Sequence, residues 1–323
     1  MKNIVVIAGG NSSEHDVSLQ SGNFVYSEID EKRYNKYLMH LRGRDWHVVI
    51  GDKTYPVDRQ DFSFTRDGEK VVFDFAYPII HGNPGENGML QGYLEMMGIP
   101  YAGCDTLCTA LTFDKHTCNT YLAAYGVKVA PSVLVLRGTT WSAEEIIAEV
   151  GLPCFVKPHA DGSSFGVSKV KTADELPAAI EKAFAHGTDV LVEAFIDGME
   201  LTCGVCKTPD MDLVLPIAKV VPKNEFFDYE AKYDPTMSDE IIPAPIPAEL
   251  TDRVKRLTSA IYDILRCEGV VRVDYIVRGD EIFMLEVNTA PGMTANSFIP
   301  KMVRAIGWTV RDFLTRLIDA KLK

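Results

Sequence analysis

Lys2-Asn3-Ile4-Val5-Val6-Ile7-Ala8-Gly9-Gly10-Asn11-Ser12-Ser13-Glu14 is the stretch from which the fold class follows. Lys2 to Ala8 becomes a short apolar run stopped by glycine, the pattern of a buried strand. Gly9 to Ser13 makes a turn. Val17, Ser21, Phe24, Val25 and Ile29 then recur at helical spacing, with Ser13 the expected cap and Asp16 near the first turn. Strand, glycine turn and helix in that order open an α/β domain.

Outward from this unit, a second strand is expected near Tyr37 to Leu41 and a polar hairpin around Trp46 to Val57. A strand from Val71 to Ile80 should deliver the loop His81-Gly82-Asn83-Pro84-Gly85. Ligands of open α/β sheets gather beyond the carboxyl ends of strands, which makes both glycine-bearing loops candidates to face one crevice. Leu107 to Tyr125 is helical in pattern. Strands follow at Ser132 to Leu136, Pro153 to Lys157, Gly166 to Val170 and Val190 to Glu193, with helices at Ser142 to Val150, capped by Ser142, and Ala173 to Ala185. From Gly198 the strands lengthen. A proline-punctuated stretch then runs from Pro222 to Pro247, a length that is usually functional or mobile inside a compact domain. A helix from Ala248 to Leu265, a hairpin and an amphipathic helix from Val310 to Leu322 complete the chain. Its 323 residues exceed one core, and the expected divisions are 1–103, 104–197 and 198–323.

Lys and Arg number 33 against 45 Asp and Glu, and the resulting −12 argues against a general nucleic-acid or anionic-membrane binder. Met1 leads into the first strand without the apolar core or cleavage site of a signal peptide. No apolar run reaches membrane-spanning length. Seven scattered cysteines fit a reducing cytoplasm. Leu201 to Cys206 alternates as a strand, which would send Cys203 and Cys206 to opposite faces. Cys104 and Cys108 could share a helix face, but with no second ligand pair they read as small core residues.

The chemistry concentrates in the hairpin. Gly269 to Val277 and Glu281 to Asn288 flank Arg278-Gly279-Asp280 and alternate. Val271, Val273, Tyr275 and Val277 with Phe283, Leu285 and Val287 are expected on an apolar face, and Arg272, Asp274, Glu286 and Asn288 on the other. A three-residue loop of Gly279, Asp280 and Glu281 would set Asp274 opposite Glu286 and Arg272 opposite Asn288. Facing carboxylates repel, and a hard divalent cation removes that repulsion; a solvated polar face is the alternative. Lys157 ends a buried strand just before the glycine- and serine-rich 161–166 loop, where ammonium, amide and hydroxyl donors could meet phosphates. The lysine precedes the glycines, unlike a Walker loop, and an ordinary turn is as good a reading. Glu193 closes a strand where it could accept from an adenine amino group or a ribose hydroxyl, although a surface glutamate is commoner. Phe226 to Tyr233 is dense in aromatics, suiting a lid over a cleft or a loop pinned to its own domain.

Gly9-Gly10-Asn11-Ser12-Ser13-Glu14, His81-Gly82-Asn83-Pro84-Gly85-Glu86-Asn87-Gly88, Lys157 with Gly162-Ser163-Ser164, Glu230-Ala231-Lys232-Tyr233, and Glu286-Val287-Asn288-Thr289-Ala290-Pro291-Gly292-Met293-Thr294 together resemble the D-alanine-D-alanine ligases of the ATP-grasp superfamily. The matches run in family order over nearly the whole chain. The resemblance implies a three-domain architecture, with a Rossmann-like open N-terminal sheet and α+β ATP-grasp parts that hold ATP between the central and C-terminal domains. It places Lys115, Lys157, Ser164 and Lys232 at the nucleotide, Glu193, Ala194, Phe195, Ile196 and Glu200 around adenine and ribose, and Asp274, Glu286 and Asn288 on two Mg²⁺ ions, with Mn²⁺ as a substitute. Glu14 would hold the ammonium of the first D-alanine, with His81, Ser163 and Tyr233 in the network around it. Lys232 and Ser297 would receive the carboxylate of the second. Arg272 and the Gly292 N–H would stabilise the oxyanion. The implied activity is cytoplasmic synthesis of D-alanyl-D-alanine for peptidoglycan precursors, by a homodimer.

Asn87 stands where the family usually has Asp, and Ala194 where lysine is common. The rivals are ligases making D-alanyl-D-lactate or D-alanyl-D-serine, a non-catalytic nucleotide-binding module, and a dinucleotide-dependent dehydrogenase. The last lacks the Gly-x-Gly-x-x-Gly fingerprint after the first strand.

Overall fold

The computed structural model describes residues 1–160, 166–222 and 238–322. The first sheet comprises β1 (Lys2–Gly9), β2 (Tyr34–Arg42), β3 (Asp45–Ile50), β4 (Lys53–Asp58), β5 (Ser63–Arg66), β6 (Glu69–Val72) and β7 (Phe75–Pro78), in the order β6-β5-β4-β3-β2-β1-β7. β1 pairs in parallel with β2 and β7 and is buried on both faces. Ile4, Val6 and Ala8 join one core, which Phe313 and Leu317 of the closing helix Val310–Leu322 also enter, while Val5 and Ile7 join another. Helix His15–Glu28 lies close on β1, for a Cβ on Gly22 would fall 2.4 Å from that of Ala8. Gly9 turns the chain at φ +110°, where an added Cβ would meet the Leu41 carbonyl at 2.5 Å.

Three expectations change in this part. Ser13 does not cap the helix. Glu14 holds the cap position, and its N–H is taken by Ser12 Oγ at 3.2 Å. The strand expected over Val71 to Ile80 divides into β6 and β7 because Asp74 exchanges bonds with Asn3, its N–H going to Asn3 O at 2.9 Å and its carboxylate accepting the Asn3 N–H at 2.8 Å. The helix expected over Leu107 to Tyr125 is two, Thr106–Phe113 and Lys115–Ala123, since Asp114 leaves helical geometry and caps the second by accepting from Thr117 N at 2.9 Å.

The second sheet comprises β8 (Ser132–Val135), β9 (Cys154–Pro158), β10 (Ser168–Val170) and β11 (Val190–Ala194), in the order β10-β9-β11-β8. Helices Ala143–Val150, capped by Ser142, and Leu176–Phe184 pack on it. The third holds β12 (Met199–Thr208), β13 (Met211–Val214), β14 (Ala218–Pro222), β15 (Ser238–Ile241), β16 (Gly269–Arg278) and β17 (Glu281–Asn288), with helix Ala248–Ile264 contributing to its core. Cys203 and Cys206 of β12 enter different cores, as strand alternation requires.

The β16–β17 hairpin keeps the expected register by a different route. Asp274 lies opposite Glu286 and Arg272 opposite Asn288, yet Arg278 pairs with Glu281, so the loop is only Gly279 and Asp280. A bulge makes up the difference, because Tyr275 pairs with Met284 and Leu285 is the extra residue. The bulge also corrects the faces. Ile282 and Met284 enter the core with Tyr275, whereas Phe283 packs with Ala130 and Ile196, and Leu285 lines a cleft.

Candidate active site

A cleft of about 740 Å³ opens between the three sheets. On its floor Arg272 grips Asp274 in a bidentate pair, Nε to Oδ1 and Nη2 to Oδ2, both at 2.9 Å. Asn288 Nδ2 donates to Asp274 Oδ2 at 3.1 Å, and the Thr202 hydroxyl of β12 donates to Oδ1. Thr202 reaches this carboxylate because β12 pairs it directly with Asp274. Burial works against charge on Arg272, but the Asp274 carboxylate outweighs it and holds the guanidinium above its ordinary value. Glu286 faces Lys115 Nζ at 3.8 Å, and that lysine enters the cleft because Asp114 breaks the helix just ahead of it. Asp274 lies opposite Glu286 on one wall with Asn288 beside them, and two carboxylates with an amide are a donor set whose chemistry fits Mg²⁺.

Lys157 of β9 and Glu193 of β11 are diagonal neighbours on one sheet face, with Nζ and Oε2 2.7 Å apart. Glu193 is 4% exposed and also accepts from Asn119 Nδ2 at 3.5 Å, so it is no surface glutamate. Ala194, Ile196 and Glu200 line the same cleft. The Phe195 ring meets Phe155 edge-on at 5.8 Å and lies under Lys169, making it a support for the cleft wall that Phe155 lines.

At the far end both N-terminal glycine loops converge. Glu14 is buried, and Gly82 passes so near that an added Cβ would sit 2.6 Å from Ser12 Cβ and 4.0 Å from Glu14 Oε2. The His81 ring is buried 3.2 Å from Ser21 Oγ, which also takes the Met293 N–H at 3.4 Å. Burial pushes the imidazole below its ordinary value, against the opposing pull of Glu14 and of a backbone hydrogen bond to Ala290. Glu86 Oε2 accepts the Gly82 N–H at 2.6 Å. Burial first, and the Glu14 carboxylate second, raise Glu86 from its ordinary 4.5 to about 8. Gly292 runs past Ser297, whose Oγ accepts the Thr294 N–H at 2.9 Å.

The sequence matches the family models for the D-alanine-D-alanine ligase N-terminus over residues 3–104 and C-terminus over residues 121–319. It is 53% identical to a D-alanine-D-alanine ligase of Phocaeicola vulgatus, over 99% of each chain. Among solved structures it resembles the VanG D-Ala:D-Ser ligase from Enterococcus faecalis, at 36% identity and TM-score 0.88 over 99% of both chains. It also resembles the D-alanine-D-alanine ligase from Bacillus anthracis complexed with ATP, at 29% identity and TM-score 0.80 over 100% of this chain and 98% of that one.

The chain belongs to the D-alanine-D-alanine ligase family. Its fold is the ATP-grasp fold. Of the residues that the family resemblance singled out, the cleft brings together Glu14, His81, Lys115, Lys157, Glu193, Ala194, Ile196, Glu200, Arg272, Asp274, Glu286, Asn288, Gly292 and Ser297. Phe195 stands just behind it. Ser163, Ser164, Lys232 and Tyr233 lie outside the described residues, as does the aromatic stretch from Phe226. Asn87 is not among the residues lining the cleft. Ser21, Thr202, and the Lys301–Glu240 pair at 2.7 Å were not singled out from the sequence. For Ser21 a signal existed: a small hydroxyl on the buried face of the first helix, beside Ser18, which bonds Gly9 N and Ile79 O.

Proposed function

We propose that this cleft joins two D-alanines into D-alanyl-D-alanine, at the expense of ATP, for peptidoglycan precursors. The observation that carries the proposal is one cleft lined at one end by Glu14 and at the other by Lys115, Lys157 and Arg272, each of these cations set against a carboxylate. An amino acid's ammonium suits the first end and phosphates suit the second.

A carboxylate is a poor electrophile, and phosphorylating it gives a leaving group that a second amine can displace. Glu14 would hold the first ammonium, with His81 fixed by Ser21 beside it. Lys115 and Lys157 would meet the nucleotide phosphates, and Glu193, Ala194, Ile196 and Glu200 the adenine and ribose. Arg272 and the Gly292 N–H would donate to the oxyanion that forms when the amine attacks. Ser297 would bind the second carboxylate. Asp274, Glu286 and Asn288 would hold Mg²⁺, two ions with Mn²⁺ as a substitute, and when bound these would neutralise phosphate oxygens. Ser163, Ser164, Lys232 and Tyr233, which the family resemblance names, complete the proposed set. In this organisation residues 1–103 supply the first-substrate end, 104–197 the nucleotide wall and 198–323 the metal wall. We place the enzyme in the cytoplasm as a homodimer, which sedimentation at assay concentration tests. No helix among the described residues is long and apolar enough to cross a membrane.

The test is a competition. D-alanine, D-serine and D-lactate are supplied together with ATP and Mg²⁺ at neutral pH, and the products are weighed by mass spectrometry. D-alanyl-D-alanine is expected as the main product, with phosphate release that depends on D-alanine. A depsipeptide or D-alanyl-D-serine as main product would overturn the choice of second substrate.

A further inference from the structure

Cys104, Cys108 and Cys267 converge away from the cleft, and the ligase chemistry uses none of them. Their sulfurs lie within 4.8 Å of one another, and Cys108 Sγ is 3.7 Å from Cys267 Sγ. With metal–sulfur bonds of about 2.3 Å, two sulfurs on one ion stand roughly 3.8 to 4.0 Å apart in tetrahedral or trigonal geometry. The trio therefore needs only small shifts to close on an ion. A disulfide would instead draw two sulfurs to about 2.05 Å and strand the third.

We propose that Cys104, Cys108 and Cys267 form a three-thiolate site for a soft metal ion, monovalent copper above zinc. No fourth His, Cys, Asp or Glu joins the group among the described residues, whereas structural zinc takes four ligands; thiolates alone suit soft Cu(I). Cys104 Sγ donates to Glu268 O and accepts the Glu268 N–H, both at 3.4 Å, and the second is the kind of outer hydrogen bond that steadies a metal-bound sulfur. Cys108 sits in the first turn of helix Thr106–Phe113, at its positive end, where Asp105 caps by accepting the Cys108 N–H. All three cysteines are buried, but their chain neighbours Leu107, 60% exposed, Arg266 and Glu268 reach the surface. Binding would release the remaining thiol protons to buffer and change no oxidation state.

The site would also bridge distant segments. Cys108 and Cys267 are 159 residues apart, and next to them Gly103 and Gly269 pass so closely that a Cβ on Gly269 would meet Gly103 N at 2.9 Å. An ion there ties the chain leading to Lys115 onto β16, which carries Arg272 and Asp274.

The reduced full-length protein, kept anaerobic, is titrated with Cu(I) against a chromophoric Cu(I) chelator. One ion retained per chain, thiolate-to-copper absorption in the ultraviolet and a raised thermal midpoint are expected. Cys108→Ala and Cys267→Ala should each weaken retention by more than the roughly 10–100-fold that loss of an outer-shell partner costs, while Cys154→Ala on the second sheet keeps it. The copper-induced midpoint shift of the unsubstituted protein needs no variant to fold. Absence of both retention and shift, or retention unchanged in both variants, overturns the site. Displacement of copper by equimolar Zn(II) overturns the choice of ion.

Discussion

On the hairpin, Asp274 and Glu286 face each other across a strand pair, and each has its own cation: Arg272 at 2.9 Å and Lys115 at 3.8 Å. In the N-terminal pocket burial first, and the Glu14 carboxylate second, raise Glu86 to about 8, and there the repulsion is relieved by a proton. One wall thus meets its carboxylates with counter-ions, and the other keeps one of them neutral. Ionised oxygens on the hairpin are what a hard cation requires. A neutral Glu86 lowers the negative charge crowded around Glu14, and each wall can be broken separately.

The largest expected effect is on the hairpin. Glu286→Gln keeps the shape and removes the charge that faces Lys115. D-alanine-dependent phosphate release should fall by roughly 10²–10³-fold, the cost of removing one preorganised electrostatic group. The side chain is 26% exposed, so the thermal midpoint should barely move. Unchanged turnover would refute the metal assignment.

The second prediction tests what holds those carboxylates in place. Met284 is fully buried in the core, whereas Leu285 is the bulged residue lining the cleft. Met284→Ala should cost at least about 2 kcal/mol of stability by denaturant unfolding. Leu285→Ala should cost clearly less and act chiefly on the KM for ATP. Strict alternation through a three-residue loop would put Leu285 in the core and reverse the two, so this pair of variants decides whether the bulge exists in solution.

That hairpin also shows how far the sequence could be read. Asp274 opposite Glu286 was legible, because polar residues two apart on each strand can be aligned by turn length. The means was not legible, since a two-residue loop with a bulge and a three-residue loop without one give the same register at Asp274. β1 and the closing helix Val310–Leu322 followed from apolar periodicity alone. The break at Asp114 and the cut at Asp74 did not, because each depends on a side chain capturing a particular backbone group. The cysteine trio was out of reach for another reason: Cys267 meets Cys108 across 159 residues, and no local pattern marks such a contact.

The smallest expected effect lies in the acidic pocket and is read in stability, since Glu86 has no direct role in the proposed chemistry. Its folded value of about 8 stands above its ordinary 4.5, so between those values the folded chain holds a proton that the unfolded chain has released. Stability must then fall as pH rises through that window. His81 contributes in the opposite sense. Its value is lowered by burial, so the folded state gains as pH rises through the ordinary histidine range. Glu86→Gln keeps the Gly82 N–H bonded to a neutral oxygen and removes the first slope while leaving the second. Its thermal midpoint, measured from pH 5 to 8, should therefore decline less steeply than that of the unsubstituted protein, by about 1.5 °C for each kcal/mol of linkage removed. A parallel decline in both proteins would mean that Glu86 is ionised beside Glu14. The two walls would then handle like charge in the same way.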